Sequence, residues 1–225
     1  MTFRPLIPLV LASAVLAALP LSAHAQAGPA AAAKPATAAA TTQGSPSKLV
    51  LDNSQRILTT LESRRAEFTA DRGKLQAFIA GEFDQMFDRE YSARQVLGRH
   101  GRGADDAEVK VFADALADSL MRRYGSSLLD FNTRLRVRVK AETPLPRGLG
   151  VKVSSEMLRQ GGEPIPVDYL MRQTADGWRV FDVMVEGVSF VQTFRQQFDT
   201  PLSRKPIRDV AADLRAGRIQ ADAGT

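Results

Sequence analysis

Cysteine does not occur among the 225 residues, which excludes a disulfide framework and any thiolate metal site. Histidine is nearly missing too: of two, His24 sits in a leader-like N-terminus and His100 is the single imidazole of the remaining chain. There is no His-Glu-x-x-His, no Gly-x-Ser-x-Gly and no Walker sequence, so zinc hydrolysis, acyl transfer at a nucleophile elbow and nucleotide hydrolysis lack their customary residues. No cofactor and no metal are expected. Polar aromatics are scarce, with one Trp and three Tyr against eleven Phe. No repeat is visible. Stability has to come from the packing of aliphatic and Phe side chains.

The N-terminus carries the longest apolar run. Residues Met1 to Ala25 offer one early charge at Arg4, an apolar stretch from Leu6 to Leu21 and a small-x-small site at Ala23-His24-Ala25, the pattern of a secretory signal peptide cleaved after Ala25. Pro5, Pro8 and Pro20 interrupt that run and argue against a spanning helix. Residues 26–47 are Ala, Pro, Thr and Gly with almost no large apolar side chain, and read as a disordered tether. The segment 48–220 is then one domain with its own core. The formal charge of +5 in an exported protein points to anionic lipid surfaces or acidic protein partners, not to nucleic acid.

Helical spacing dominates the first half. A stripe of Val50, Ile57, Leu58, Leu61 and Phe68 predicts a helix over Lys48 to about Glu67. Asp71 can cap a second, carrying Leu75, Phe78, Ile79 and Phe83, and Tyr91 to Leu97 a third that ends at Gly98. The basic loop from Gly98 to Gly103 has two glycines in a Gly-x-Gly arrangement but lacks the third that a phosphate cradle requires. Asp105 and Glu108 then have the spacing of an acidic capping box, and Val109, Phe112, Leu116, Leu120 and Tyr124 step along one face. Spacing alone does not separate core from cavity wall for such a stripe.

The period then changes to two. Leu135, Val137, Val139 and Ala141 alternate with Arg134, Arg136, Arg138 and Lys140, so one face of a strand is apolar and the other cationic, a candidate docking face for an acidic partner. The Pro/Gly-rich loop 144–150 leads to a strand with Val151 and Val153. Gly161-Gly162 turns the chain into Val167, Tyr169 and Met171. After Thr174 to Gly177 a fourth strand runs to Glu186, offering Phe181, Val183 and Val185 to one face, with Trp178, Val180 and Met184 around Asp182 on the other. Ser189 and Gln192 have the spacing of a capping box for a helix bearing Phe190, Phe194 and Phe198, which Pro201 interrupts. Helices, a four-stranded antiparallel meander and closing helices make an α+β domain.

The runs VDYLMRQ (167–173) and GWRVFDVMVEGVSFVQTFRQQF (177–198), with their DVMVEGVS core, resemble the C-terminal signature of the MlaC family. These are periplasmic phospholipid carriers, also called toluene-tolerance auxiliary proteins of an ABC transporter. The run 83–131, from FDQMFDREYSARQVLG to SLLDF, is similar to that family's helical half. The resemblance implies a curved, cone-like sheet whose helices enclose an apolar cavity for acyl chains. It implies a carrier, not an enzyme, that moves phospholipid between the outer and inner membranes and maintains outer-membrane lipid asymmetry. It further implies two partners, an outer-membrane lipoprotein complex and the MCE-domain protein of an inner-membrane ABC transporter.

Candidate cavity residues are Phe83, Leu97, Phe112, Leu116 and Leu120 from the helices, Val137, Val139, Val151, Val153, Val167, Tyr169, Met171, Phe181, Val183 and Val185 from the strands, and Phe190 and Phe194 from the closing helix. Roughly half of such a set serves as ordinary core. Two other readings stay open at this stage: a carrier of a different apolar ligand such as a hopanoid precursor, and an enzyme with a cone-shaped pocket using Asp182 as an acid/base group.

Overall fold

The computed structural model describes residues 44–124, 129, 135–159 and 162–222. The expected signal peptide, nearly all of the expected tether, Arg134 and Gly161 lie outside the described residues.

Helix α1 spans Pro46–Ser63, beginning two residues ahead of Lys48. Ser45 caps it by accepting from the Lys48 amide at 3.2 Å, and Pro46 sits where its missing N–H costs nothing. The backbone kinks at Arg64, which splits the single helix expected up to Glu67 into α1 and a short α2, Arg65–Ala70. Asp71 caps α3 (Arg72–Met86) by accepting from the amides of Gly73 and Lys74. Helix α4 (Arg89–Leu97) ends at Gly98, whose φ of 53° suits a residue without Cβ. The loop after it begins with a short 3-10 turn, Gly98–Gly101.

Helix α5 covers Asp106–Tyr124. Half of its capping box forms: Asp105 accepts from the Glu108 amide at 2.6 Å, while the Glu108 carboxylate pairs with Arg208 at 3.4 Å. Helix α6 (Phe190–Arg204) carries Pro201 inside it, so the proline that was expected to end the helix is absorbed near its C-terminus. Helix α7 spans Ile207–Arg215.

Five strands form one open antiparallel sheet in the order β1 (Arg136–Pro144), β2 (Val151–Leu158), β3 (Ile165–Thr174), β4 (Gly177–Val185), β5 (Val188–Ser189). The four long strands are the expected meander. The fifth is a two-residue addition that pairs Val188 with Val185 and Ser189 with Met184. At the β1–β2 turn, the Leu145 amide donates to the Gly150 carbonyl at 2.8 Å. A Cβ on Gly150 would lie 1.9 Å from the Met171 carbonyl oxygen, so only glycine fits there.

Two bulges interrupt the ladder, one at Lys140 in β1 and one at Phe181 in β4. Bulges bend a strand and re-aim its side chains. The one in β4 changes the expected faces. Val183 and Val185 stay opposite Tyr169 and Val167, but beyond the bulge it is Val180 that lies opposite Met171. Phe181 turns away and meets Tyr91 of α4 edge-on, with ring centroids 5.3 Å apart.

Apolar packing among the described residues falls into three clusters. One joins α4, α5, α6 and α7 through Leu97, Phe112, Leu116, Phe194, Phe198 and Leu214. A second lies between α1, the end of α3 and the sheet, around Val50, Met86, Val153, Met171 and Val180. The third ties α1, α2 and α3 together through Leu61, Phe68, Leu75 and Ile79, with Leu129. Between the second and third clusters the α1–α3 seam is polar. Asn53 donates to Glu82 at 2.9 Å, and Arg56 pairs with the same carboxylate at 2.7 Å.

Candidate functional site

The register collects most of the strand candidates on one face of the sheet. Val137 and Val139 of β1 stand opposite Met157 and Ser155. Val151 and Val153 of β2 stand opposite Met171 and Tyr169, and Tyr169 and Val167 of β3 opposite Val183 and Val185. Helix α1 lies over this face: its Val50 packs with Val153, Met171 and Val180, with Tyr169 against them, and Ser47 donates to Glu142 at 2.8 Å. Burial raises the pKa of the Tyr169 phenol, with the nearby Ser54 side chain acting in the opposite direction.

Packing along that face is uneven. At the end nearest α3, Val153, Met171 and Val180 are fully buried, with Val151 and Trp178 against them. Toward the other end, Val137, Val185, Met157 and Ile165 are only half-buried and lie outside the three clusters; Val167 is buried there but also lies outside them. An apolar sheet face under helices that retains accessible surface is the kind of wall that accepts an apolar ligand.

The helical candidates divide differently. Leu97, Phe112, Leu116 and Phe194 are buried together in the α4–α7 cluster, with Leu120 and Phe190 half-buried at its margin. Phe112 meets Phe198 edge-on at 5.6 Å. Phe83 is 40% exposed and stacks on Phe87, with centroids 4.2 Å apart. The structure therefore does not bring the whole expected set to one place. The strand residues share a face, the helical ones form mostly closed packing, and Phe83 and Phe181 face elsewhere.

The cationic face of β1 is partly neutralised. Arg138 and Lys140 both pair with Glu156 on β2, at 2.5 and 2.6 Å, and Lys140 and then Arg138 hold that carboxyl below its ordinary range. Arg136 is exposed, opposite Leu158.

Asp182 is 7% exposed, and its two oxygens are occupied. The Ser189 hydroxyl donates to one at 2.6 Å and the Val191 amide to the other at 3.0 Å, while Ser189 accepts from the Gln192 amide as the cap of α6. Burial raises the pKa of Asp182, with the Ser189 and Val191 hydrogen bonds opposing. This carboxylate fastens the start of α6 to β4.

Sequence reasoning missed three polar groups. His100 meets Asp199 at 2.8 Å, beside Arg99 on the same carboxylate. His100 also lines an open cleft of about 310 Å³, together with Arg102, Glu108, Lys205 and Ile207 among others. Asp213 anchors Lys205 and Arg218 at 2.5 and 2.6 Å. The third is the Asn53–Arg56–Glu82 layer, whose signal was present: Asn53 and Glu82 sit in the stripes Val50-Asn53-Ile57-Leu61 and Leu75-Ile79-Glu82-Met86, where apolar residues belong. Among the described residues no cluster could hold a metal ion, and no helix is long and apolar enough to cross a membrane.

The family profile described as MlaC protein matches residues 51–216, from α1 through the end of α7. The chain belongs to the MlaC family. Among curated relatives of this MlaC protein is the toluene tolerance protein ttg2D of Pseudomonas putida, 24% identical over 162 residues, which cover 71% of this chain and 74% of the relative. Among solved structures, a phospholipid-binding protein from Ralstonia solanacearum, determined in complex with a phospholipid, superposes with a TM-score of 0.68 at 20% identity. That match covers 78% of this MlaC chain and 98% of the other, so the two share a fold.

Proposed function

We propose that this protein is a periplasmic carrier that holds a phospholipid by its acyl chains against the apolar sheet face under α1, leaving the head group outside. The observation that supports this most is the half-buried apolar surface of Val137, Val139, Val183 and Val185 on the face that α1 covers, in a fold shared with a protein solved with phospholipid. Membership of the MlaC family and the toluene tolerance relative support the same reading.

The mechanism needs no reactive group. Each buried methylene is worth about 0.8 kcal/mol, so a diacyl lipid with about thirty of them gains on the order of 24 kcal/mol over water. A bilayer gives the same lipid a similar gain. Exchange between membrane and carrier is therefore close to balanced, and direction comes from the partners at either end. For these we infer an outer-membrane lipoprotein complex and the MCE-domain protein of an inner-membrane ABC transporter, with outer-membrane lipid asymmetry as the outcome. Export by the signal peptide ending at Ala25, and a tether before the domain, complete the scheme. Asp182, committed to the cap of α6, supports a carrier over an enzyme.

Organic extraction of the purified protein followed by mass spectrometry tests this. Diacyl phospholipid at a stoichiometric ratio is expected. A polycyclic terpenoid, or protein that neither arrives with lipid nor takes it up from vesicles, would overturn it.

A further inference from the structure

The cleft beside His100 shares no residue with the sheet face under α1. The apolar part of its lining, Leu202 of α6 and Ile207 of α7, belongs to the α4–α7 cluster, and Pro206 lies exposed beside them. Around this floor stand His100, Arg102 and Lys205, against a single lining carboxylate, Glu108. Glu108 is already paired with Arg208 at 3.4 Å, so the cleft is cationic on balance. Arg102 is exposed and has no carboxylate partner among the described residues. The Lys205 side chain is 52% exposed; Asp213 meets its ammonium at 2.5 Å, and an ammonium has three N–H groups to give.

These walls are set before anything enters. His100 meets Asp199 of α6 at 2.8 Å and Arg99 pairs with the same carboxylate at 2.9 Å, which ties the loop after α4 to α6. Within that loop the Ala104 amide donates to the Gly101 carbonyl at 3.3 Å. Groups fixed in advance lose little freedom when a ligand arrives. The volume, about 310 Å³, lies at the small end for ligand sites and suits one apolar side chain with its neighbours rather than two acyl chains. A bilayer surface is too flat to fill a cleft, and a bare anion would leave the apolar floor uncovered.

We propose that this cleft docks an acidic segment of a partner protein, with one apolar side chain seated on Leu202 and Ile207 and flanking carboxylates on Arg102 and Lys205. Its cations are separate from those of β1, and it stands whether or not the carrier reading holds. A partner held here makes no use of the sheet-face residues, so docking and cargo exchange become separable steps.

The test is an NMR titration of the isotope-labelled protein with a pentapeptide that has a central leucine flanked on each side by two acidic residues. Saturable shifts centred on His100, Arg102, Ala104, Lys205 and Ile207 are expected. Changing the leucine to alanine, or the acids to lysines, should weaken binding about tenfold or more. Arg102→Glu, a change at an exposed side chain, should also weaken it about tenfold, whereas Arg136→Glu on β1 should leave it unchanged. No saturable shift at these positions, binding that follows Arg136 instead of Arg102, or a lysine peptide that binds as well as the acidic one would overturn the assignment. So would shifts at the cleft produced by vesicles of anionic phospholipid and not by the peptide, since the surface would then be a membrane contact.

Discussion

Replacing Asp182 separates a structural carboxylate from a catalytic one. In Asp182→Ala the Val191 amide loses its acceptor in a buried setting, at about 1–3 kcal/mol, and the Ser189 cap loses its anchor, at about 1 kcal/mol. Removing a carboxylate that burial disfavours returns some of this, so the net loss is about 2–3 kcal/mol. Asp182→Asn keeps an oxygen for Val191 and carries no charge, and should cost about 1 kcal/mol or less.

The pH dependence carries a sign. The folded-state pKa of Asp182 lies above its ordinary value of 3.8. Between that value and the raised one the native protein holds a proton the unfolded chain has released. Stability is therefore highest below the window, falls as pH rises through it, and stays at the lower level above. Asp182→Asn lacks this slope, so its stability relative to wild type improves as pH rises from below 3.8 through the raised value. Urea unfolding across that range, with the slope against denaturant held common, measures both effects. If Asp182→Asn destabilised as much as Asp182→Ala, or if both were fully stable and failed only in lipid uptake, the structural assignment would be wrong.

Glu82→Ala should cost about 1–3 kcal/mol by stranding Asn53, and less than a fully buried pair because Arg56, 45% exposed, can turn to water; replacing Asn53 and Glu82 together by Leu should be neutral or stabilising in the same unfolding assay. Phe112→Ala, at 0% exposure against Phe198, should cost about 3–5 kcal/mol, and a loss below about 1 kcal/mol would mean the α4–α7 cluster is not closed packing. Reversing Arg136 to Glu should slow lipid delivery to an acidic partner at low salt more than at high salt, and equal rates in stopped-flow transfer would remove the β1 face from the docking surface.

Much of the architecture was legible because the hydrophobic period is clean. The alternation from Leu135 to Val139 marks β1, though the bulge at Lys140 takes Ala141 off the apolar face expected for it and leaves it exposed; the three-and-four spacing from Val109 to Tyr124 marks α5, and Asp71, Asp105 and Ser189 mark helix starts that the structure realises. What was illegible is where the chain departs from its period. The bulge at Phe181 moves that ring to Tyr91 because one extra residue in β4 shifts everything before it by a face, and strict alternation cannot reveal an insertion. The kink at Arg64 and the helix running through Pro201 are tertiary outcomes that local propensity does not determine. Whether a stripe packs against neighbours or fronts open space is equally invisible: Leu116 and Val137 look alike in sequence, yet one is closed in by neighbouring helices and the other stays accessible.

The first strand of the sheet has a bearing on how such a molecule survives crowding. Its outer rim has no strand partner among the described residues, and a second copy approaching in register would find alternating Arg136, Arg138 and Lys140, a bulge at Lys140 and a proline at Pro144. Like charge, a broken ladder and a missing donor each discourage templated addition of another chain. The domain thus keeps an exposed backbone edge unsuited to self-association, and is expected to remain monodisperse whether or not lipid is bound.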